Sequence, residues 1–585
     1  MRLRTPVAAL GLLLAVAAPA RAADPVLPLS EVRAGLRCTG LSVIRGTEIA
    51  PFEVEVLDVI AGESGGLGPR ILVRASGAAV EATGIGQGFS GSPILCPDAL
   101  GVPRNAGAIS ESIGEYGNKV VLATPIEAIL AEKPDVPAAA RRAPALLRAA
   151  RRLTAPLSVS GLSPRVLRPL AAAARRRGRR ILAAPSGPLG SFAVQALRPG
   201  AAMGIGLASG DLSIGAIGTV AYVDGATVWG LGHPFEGAGR RSLLLQDAYV
   251  FHVVGNPNST AETGTSYKLA AAGHDLGTLS NDALDAVVGR LGALPPSIPM
   301  TVLARDLDAA TGRTMRVRVA DERAAGLPTG SSALSLVGPL AVAQAGAVLL
   351  RGSPARQSGT LCVRFELAQR PRAPLRFCNR YVARDSIGDG EEALSALSAR
   401  QAQDVAAAVT MIDDYDAGPL RLTGVEAILR LRRGRRQAFI RTATGPRTAR
   451  PGRRIALRLT LTRAGGGSAG TRTIRLRLPA GARPGIRRIV LAGPGIDSAE
   501  GEAFDEIVGS QDEEAGGAGR GPRSLDALAA AVGALGRYDG ISARVRGTGR
   551  ARPVLVDPEL RISGRATVTL RVLGRPLSTR GRRAR

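Results

Sequence analysis

Aromatic residues make up only 3% of the 585-residue chain, and no stacking motif pairs them with basic residues as a nucleic-acid platform would require. That scarcity argues against a nucleic-acid partner in spite of a formal charge of +28. Lysine is nearly absent as well: of 76 basic residues only Lys119, Lys133 and Lys268 are lysines, so the charge rests on arginines spread along the chain. The bias reads as a coding preference, and it leaves a surface suited to an anionic envelope, acidic polysaccharide or lipid headgroups. Histidine is confined to His233, His252 and His274, and no Cys-x-x-Cys pair occurs, so neither a metal nor a cofactor is expected. Long apolar runs are missing too. Val7 to Ala18 is too short to span a bilayer, and it lies between the basic Met1-Arg2-Leu3-Arg4 and the small-x-small triplet Ala20-Arg21-Ala22. Residues 1–22 therefore read as a secretory signal, which implies an exported, periplasmic or extracellular chain.

Cysteine is scarce but even in number, and four cysteines in an exported chain imply two disulfides. Cys362 and Cys378 flank Gln369-Arg370-Pro371-Arg372, where a hairpin would set them opposite each other. Cys38 and Cys96 are then left to join. The length implies about three or four structural units.

From Leu27 to about Leu130 short β segments alternate with glycine turns, clearest in Phe52-Glu53-Val54-Glu55-Val56-Leu57. Arg70 to Arg74, Ala106 to Ser110 and Lys119 to Ala123 read as further strands. Thr124-Pro125-Ile126-Glu127 predicts a helix to about Ala131, with threonine as its cap. Residues 136–200 form an α-rich connector, helical over Ala138 to Leu153 and Pro164 to Arg176, with Pro156 to Val159 extended between them. A second β unit starts near Ala201, with Asp224-Gly225 as the turn of a hairpin. His252 reads as a packed strand residue and His274 as a loop residue. After residue 350 β segments of sandwich type dominate, interrupted by a helix over Glu391 to Ile412. The acidic, glycine-rich Ile496 to Pro522 reads as a flexible linker, followed by a helix over Ser524 to Leu535 and strands near Ser542 to Val545 and Ala566 to Val572.

Two segments carry chemistry. In Gly88-Phe89-Ser90-Gly91-Ser92-Pro93 a serine stands between glycines on a tight turn, which holds a hydroxyl clear of its backbone. The amides of Gly88 and Ser90 would receive a developing oxyanion. A Gly/Ser/Pro turn between Val80 and Ile94 also reads simply as a loop. In Gly232-His233-Pro234-Phe235 a histidine sits at a strand end, the position of a general base.

Together the segments resemble the sporulation factor IVB (SpoIVB) type of peptidases, trypsin-like serine endopeptidases with a double β-barrel. Thr83-Gly84-Ile85-Gly86-Gln87-Gly88-Phe89-Ser90-Gly91-Ser92-Pro93-Ile94, with Gly107-Ala108-Ile109-Ser110 after it, is similar to that family's nucleophile segment. Ile217-Gly218-Thr219-Val220-Ala221-Tyr222-Val223-Asp224, leading to Gly230-Leu231-Gly232-His233, is similar to its histidine segment. The resemblance covers roughly residues 27–130 and 201–300. It implies a mainly β fold: a serine-bearing barrel half at 23–135, the connector at 136–200 and a histidine-bearing half at 201–345. Beyond these come a β-sandwich-like domain at 346–495, the linker at 496–522 and a small α/β segment at 523–585. It also implies hydrolysis of a protein or peptide substrate by Ser90 and His233. Self-cleavage in the connector or linker is a further expectation, drawn from their composition and exposure. Three departures stand out. The segments occur in permuted order, the family's amino-terminal PDZ module has no counterpart, and Ala75 occupies the position of the family's acid. Asp211, Asp224 and Asp247 are the acids near His233 in sequence; Asp224 is already explained by the hairpin, and Asp211, which follows Gly210 at a strand start, is the expected third member. The competing reading is an inactive relative that keeps the barrels as an envelope binding module or scaffold.

Overall fold

Alternating strands such as Phe52 to Leu57 need a closed or covered sheet to bury one face. The computed structural model provides one and describes residues 25–62, 68–113, 116–136, 156–186, 192–256, 266–327, 332–350, 357–383, 386–387, 393–494, 503–509, 521–546 and 550–574. The proposed signal at 1–22 and the predicted helix over Ala138 to Leu153 lie outside these residues, as do most of the linker and part of the connector thought open to self-cleavage. The fold is mainly β. Strands β1 (Arg37–Arg45), β2 (Glu48–Ile60), β3 (Arg70–Ser76), β4 (Pro93–Pro97), β5 (Pro103–Ser112) and β6 (Val120–Pro125) form a closed barrel in the order β1-β2-β3-β6-β5-β4. Phe52, Val54 and Val56 point inward and Glu53 and Glu55 outward, as a period of two demands. Interior side chains of this kind each contribute about 1.5–3 kcal/mol. Cys38 and Cys96 are joined across β1 and β4, inside this barrel.

Next come β7 (Leu157–Ser160), β8 (Ile181–Ala183), β9 (Ala202–Gly210), β10 (Ser213–Asp224), β11 (Thr227–Gly230), β12 (Gly239–Val254), β13 (Tyr267–Asp282), β14 (Val287–Leu291), β15 (Ser297–Asp306) and β16 (Thr311–Ala320). Six of them run in the order β9-β12-β13-β14-β11-β10, and the β9–β10 pairing closes this path into a second ring. Asp224 pairs with Thr227 across the expected hairpin, and Gly225 takes a φ of 55° in its turn. The expected connector is not set apart from this ring. Its helix Pro164–Arg176 forms, but β7 pairs with β10 and β8 with β7, extending the same sheet.

Further along, the structure departs from a boundary at 346. Gln357–Leu367, Leu375–Ala383 and Leu422–Arg432 join the sheet of the second ring through β15, with Cys362 bonded to Cys378 across the first two of them. The helices Ala333–Leu349 and Ala396–Asp413 pack into the same core. Residues 437–572 contribute an eight-stranded sheet with its own core, so the hydrogen-bonded sheets separate between 432 and 437. The expected linker holds a short helix, Ala503–Gly509, whose Phe504 and Ile507 are buried. The helix after it, Leu525–Ala534, is capped by the Ser524 hydroxyl and buries Leu528 and Val532 in the same core. No helix among the described residues is long and apolar enough to cross a membrane. The two disulfides are consistent with an oxidising, non-cytoplasmic compartment.

The two rings meet along Ala108, Ile126 and Ile129 on one side and Ala221, Tyr222, Trp229 and Val288 on the other. The indole N–H of Trp229, the only tryptophan, donates to the Glu132 carbonyl at 2.9 Å. The Asn105 amide donates to the Ala221 carbonyl at 3.0 Å. Both glycine-flanked segments singled out by sequence lie beside this seam.

Candidate active site

The turn bearing Ser90 hangs between the rings and is held from both sides. Gly91 N–H donates to the Ile109 carbonyl at 2.7 Å on β5, and Thr219 N–H on β10 donates to the Ser90 carbonyl at 2.8 Å. Gly91 has a φ of 93°, and a Cβ there would fall on the Thr219 carbonyl oxygen, so glycine is required twice over. Within the turn Gln87, Phe89, Gly91 and Ser92 all donate their amides to backbone carbonyls. Gly88 and Ser90 do not: among the described residues neither N–H has an acceptor, although both residues are buried. Buried amides are almost always paired, so two open ones at spacing i, i+2 mark a place where an acceptor from outside the chain fits. The Ser90 hydroxyl likewise has no hydrogen-bond partner among the described residues, and the residue is 8% exposed.

His233 is presented by a sharp change of direction at the end of β11. Leu231 and Gly232 both take positive φ, 63° and 67°, with Gly232 N–H bonded back to the Gly230 carbonyl. A non-glycine residue in this region is strained, and Leu231 tolerates it fully buried between Thr219 and Gly91. Thr124 was expected to cap the helix that follows β6. Instead Pro125 occupies the cap position, and the Thr124 hydroxyl donates to the Gly232 carbonyl at 2.7 Å. The first ring thus grips the backbone beside His233. The imidazole is buried, and its Nδ1 lies 2.7 Å from the Pro234 carbonyl. A carbonyl only accepts, so Nδ1 carries the proton and Nε2 is left as the basic nitrogen.

The expected acids lie elsewhere. Asp211 accepts from Arg316 N–H at 2.8 Å, eight residues from Thr219 and so on the order of 25 Å away along an extended chain. Asp224 is exposed in its hairpin turn. Asp247 is buried, accepts from Gln195 N–H and lies 2.9 Å from Nδ1 of His274. None of the three bonds His233. His274 itself is a strand residue of β13 rather than a loop residue, and His252 lies on β12 but is exposed rather than packed. Ala75 is interior to the first barrel, among apolar neighbours. Among the described residues no group of three or more acidic, histidine or cysteine side chains is placed to hold a metal.

Two residues that sequence reading passed over organise the site. Asp282, buried on β13, accepts from Phe235 N–H at 2.7 Å, Glu236 N–H at 2.8 Å and Ala238 N–H at 3.2 Å, so it fixes the loop that follows His233. Burial pushes its carboxyl above the usual range, while the Arg241 guanidinium 3.9 Å away and the amide donors oppose this. Lys268, only 3% exposed at the start of β13, runs directly beneath Gly88. Its Nζ donates to Ser42 Oγ at 2.7 Å and Thr219 Oγ1 at 3.1 Å and sits 4.6 Å from the centre of the Phe89 ring. Burial alone lowers its pKa to about 7. The one available signal was that Lys268 is a lysine at all in so arginine-rich a chain. No family model, curated protein or solved structure matches this chain.

Proposed function

We propose that this chain is an exported serine endopeptidase of the SpoIVB type, trypsin-like in architecture, with its serine and histidine segments in permuted order. The observation that carries the reading is the pair of amides at the buried residues Gly88 and Ser90, neither of which has an acceptor among the described residues. Amides at the nucleophile and two residues before it form the oxyanion hole of trypsin-like enzymes. In this mechanism Ser90 Oγ attacks a peptide carbonyl and His233 Nε2 takes its proton. The oxyanion is held by the two N–H groups, and His233 returns the proton to the leaving amine. The Pro234 carbonyl, 2.7 Å from Nδ1, orients the imidazole. Two closed six-stranded rings flanking the site also support the trypsin-like reading, since triads are defined by geometry and not by chain order. The alanine at position 75, where the family has its acid, is what favours the second reading, an inactive barrel pair used for binding at the cell envelope.

The test is to treat the full chain and its Ser90→Ala variant with a fluorophosphonate probe. The reading expects covalent labelling of the parent and none of the variant. A folded parent that stays unlabelled would leave the binding-module reading in possession.

A further inference from the structure

Lys268 is buried, and among the described residues no carboxylate bonds to its ammonium group. From β12 it faces Val253, its partner in register; from β1, Ser42; from β10, Thr219; and from the serine turn, Gly88 and Phe89. Arg180 lies 5.8 Å over the ring of Tyr267, and His252 on β12, Arg37 and Arg45 on β1 and Arg240 on β12 are exposed. The carboxylates on these elements are engaged elsewhere: Asp224 is exposed in its turn, Asp247 on β12 lies against His274, and on β13 Asp275 pairs with Arg318 and Asp282 with Arg241. The other two lysines have ordinary surface roles, Lys119 beside Glu81 and Lys133 on the Leu130 carbonyl. An arginine at position 268 would hold its proton permanently, whereas a lysine can release it.

The contacts of Lys268 lead to Ser90 by short paths. Thr219 Oγ1, which accepts from Lys268, donates to the Gly88 carbonyl at 2.8 Å, and Thr219 N–H holds the Ser90 carbonyl. Ser92 Oγ donates to Ser42 Oγ at 2.9 Å, and Lys268 N–H donates to the Gln87 carbonyl. The groups that hold Gly88, Ser90 and Ser92 on this side, Thr219 and Ser42, thus both accept directly from Nζ. A charged Nζ donates to Ser42 and packs on the Phe89 ring. A neutral Nζ has a lone pair, so the Ser42 hydroxyl can donate to it and the direction of the bond reverses, with loss of the cation–π contact.

We infer that Lys268 is the positioning residue of the Ser90 turn, and that gain or loss of its proton switches the turn between two hydrogen-bond arrangements and so regulates the reactivity of Ser90. The inference rests on the serine-peptidase reading for its consequence, though not for its geometry. It is tested on the full chain with Lys268→Arg and Lys268→Met beside the parent, each first checked for native Trp229 fluorescence. Fluorophosphonate labelling rates are measured from about pH 5.5 to 9.5. Amide exchange of residues 86–93, corrected for intrinsic rate, is followed over the same range. Labelling of all three proteins should share the inflection of the general base His233; beyond it the parent should show a second inflection, in labelling and in exchange, that neither variant shows, and Lys268→Met should label about ten-fold or more slowly than the parent. Identical pH profiles in parent and variants would overturn the inference. A parent that never labels but shows the exchange inflection, lost in Lys268→Arg, would sustain the switch and reject the peptidase reading. Absence of the exchange inflection from the parent would reject the switch, whatever the labelling.

Discussion

Replacing Lys268 with methionine should change how the stability of the two-ring region depends on pH. In the unfolded chain the lysine keeps its proton up to about 10.5, whereas in the folded chain burial brings release near 7. Between those values the unfolded state binds more protons, so stability rises with pH across this window and is flat in this respect below it. The full gap corresponds to on the order of 5 kcal/mol, taking 1.36 kcal/mol per pH unit as an upper bound. Between pH 7 and 9 the parent should therefore gain about 2–3 kcal/mol relative to Lys268→Met. Lys119 and Lys133 are common to both proteins and cancel in the difference. The assay is urea unfolding at the two pH values, followed by fluorescence of Trp229, which sits in the seam between the rings and reports on this region alone. Methionine keeps the length and apolar stem of the lysine, so the comparison isolates the ammonium group. Parallel pH dependence in parent and variant would refute the reasoning, because it would mean that Lys268 titrates alike in the folded and unfolded chains.

Asp282→Asn should destabilise the fold by about 2–4 kcal/mol, because an amide cannot accept all three N–H groups of Phe235, Glu236 and Ala238 or balance Arg241; thermal unfolding and the loss of probe labelling would show it together. Removing the Cys38–Cys96 link by a double alanine substitution should lower stability by about 4 kcal/mol, since it opens a loop of 58 residues in the unfolded chain. Chemical denaturation of the double variant against the parent measures this directly, and an unchanged midpoint would contradict it.

What the sequence determined by itself is local. Glycines with a serine and proline force the Gly88 to Pro93 turn, Asp224-Gly225 makes its hairpin, and the alternation in Phe52 to Leu57 decides which side chains enter the barrel. The Cys362–Cys378 pairing was legible for the same reason, since sixteen residues with a turn between them leave few alternatives. Contacts set by strand register were not legible. Lys268 reaches Gly88 only because β13 lies against the serine turn, and Asp282 reaches the His233 loop only because β12 and β13 pair along their whole length. Thr124 looked like a helix cap because its sequence neighbours favour one, but the Gly232 carbonyl, 108 residues away, takes its hydroxyl instead. A triad acid reads from the sequence as Asp211 because it follows a glycine at a strand start, while the fold aims Nδ1 of His233 at the carbonyl of the next residue. Residues 357–432 read as a separate sandwich because strands look alike in sequence. Their pairing with β15 through backbone hydrogen bonds, which carry no residue code, assigned them to the second ring's sheet. Local backbone preferences belong to the residues that express them, whereas the partners of a buried polar group are fixed only when distant strands close around it.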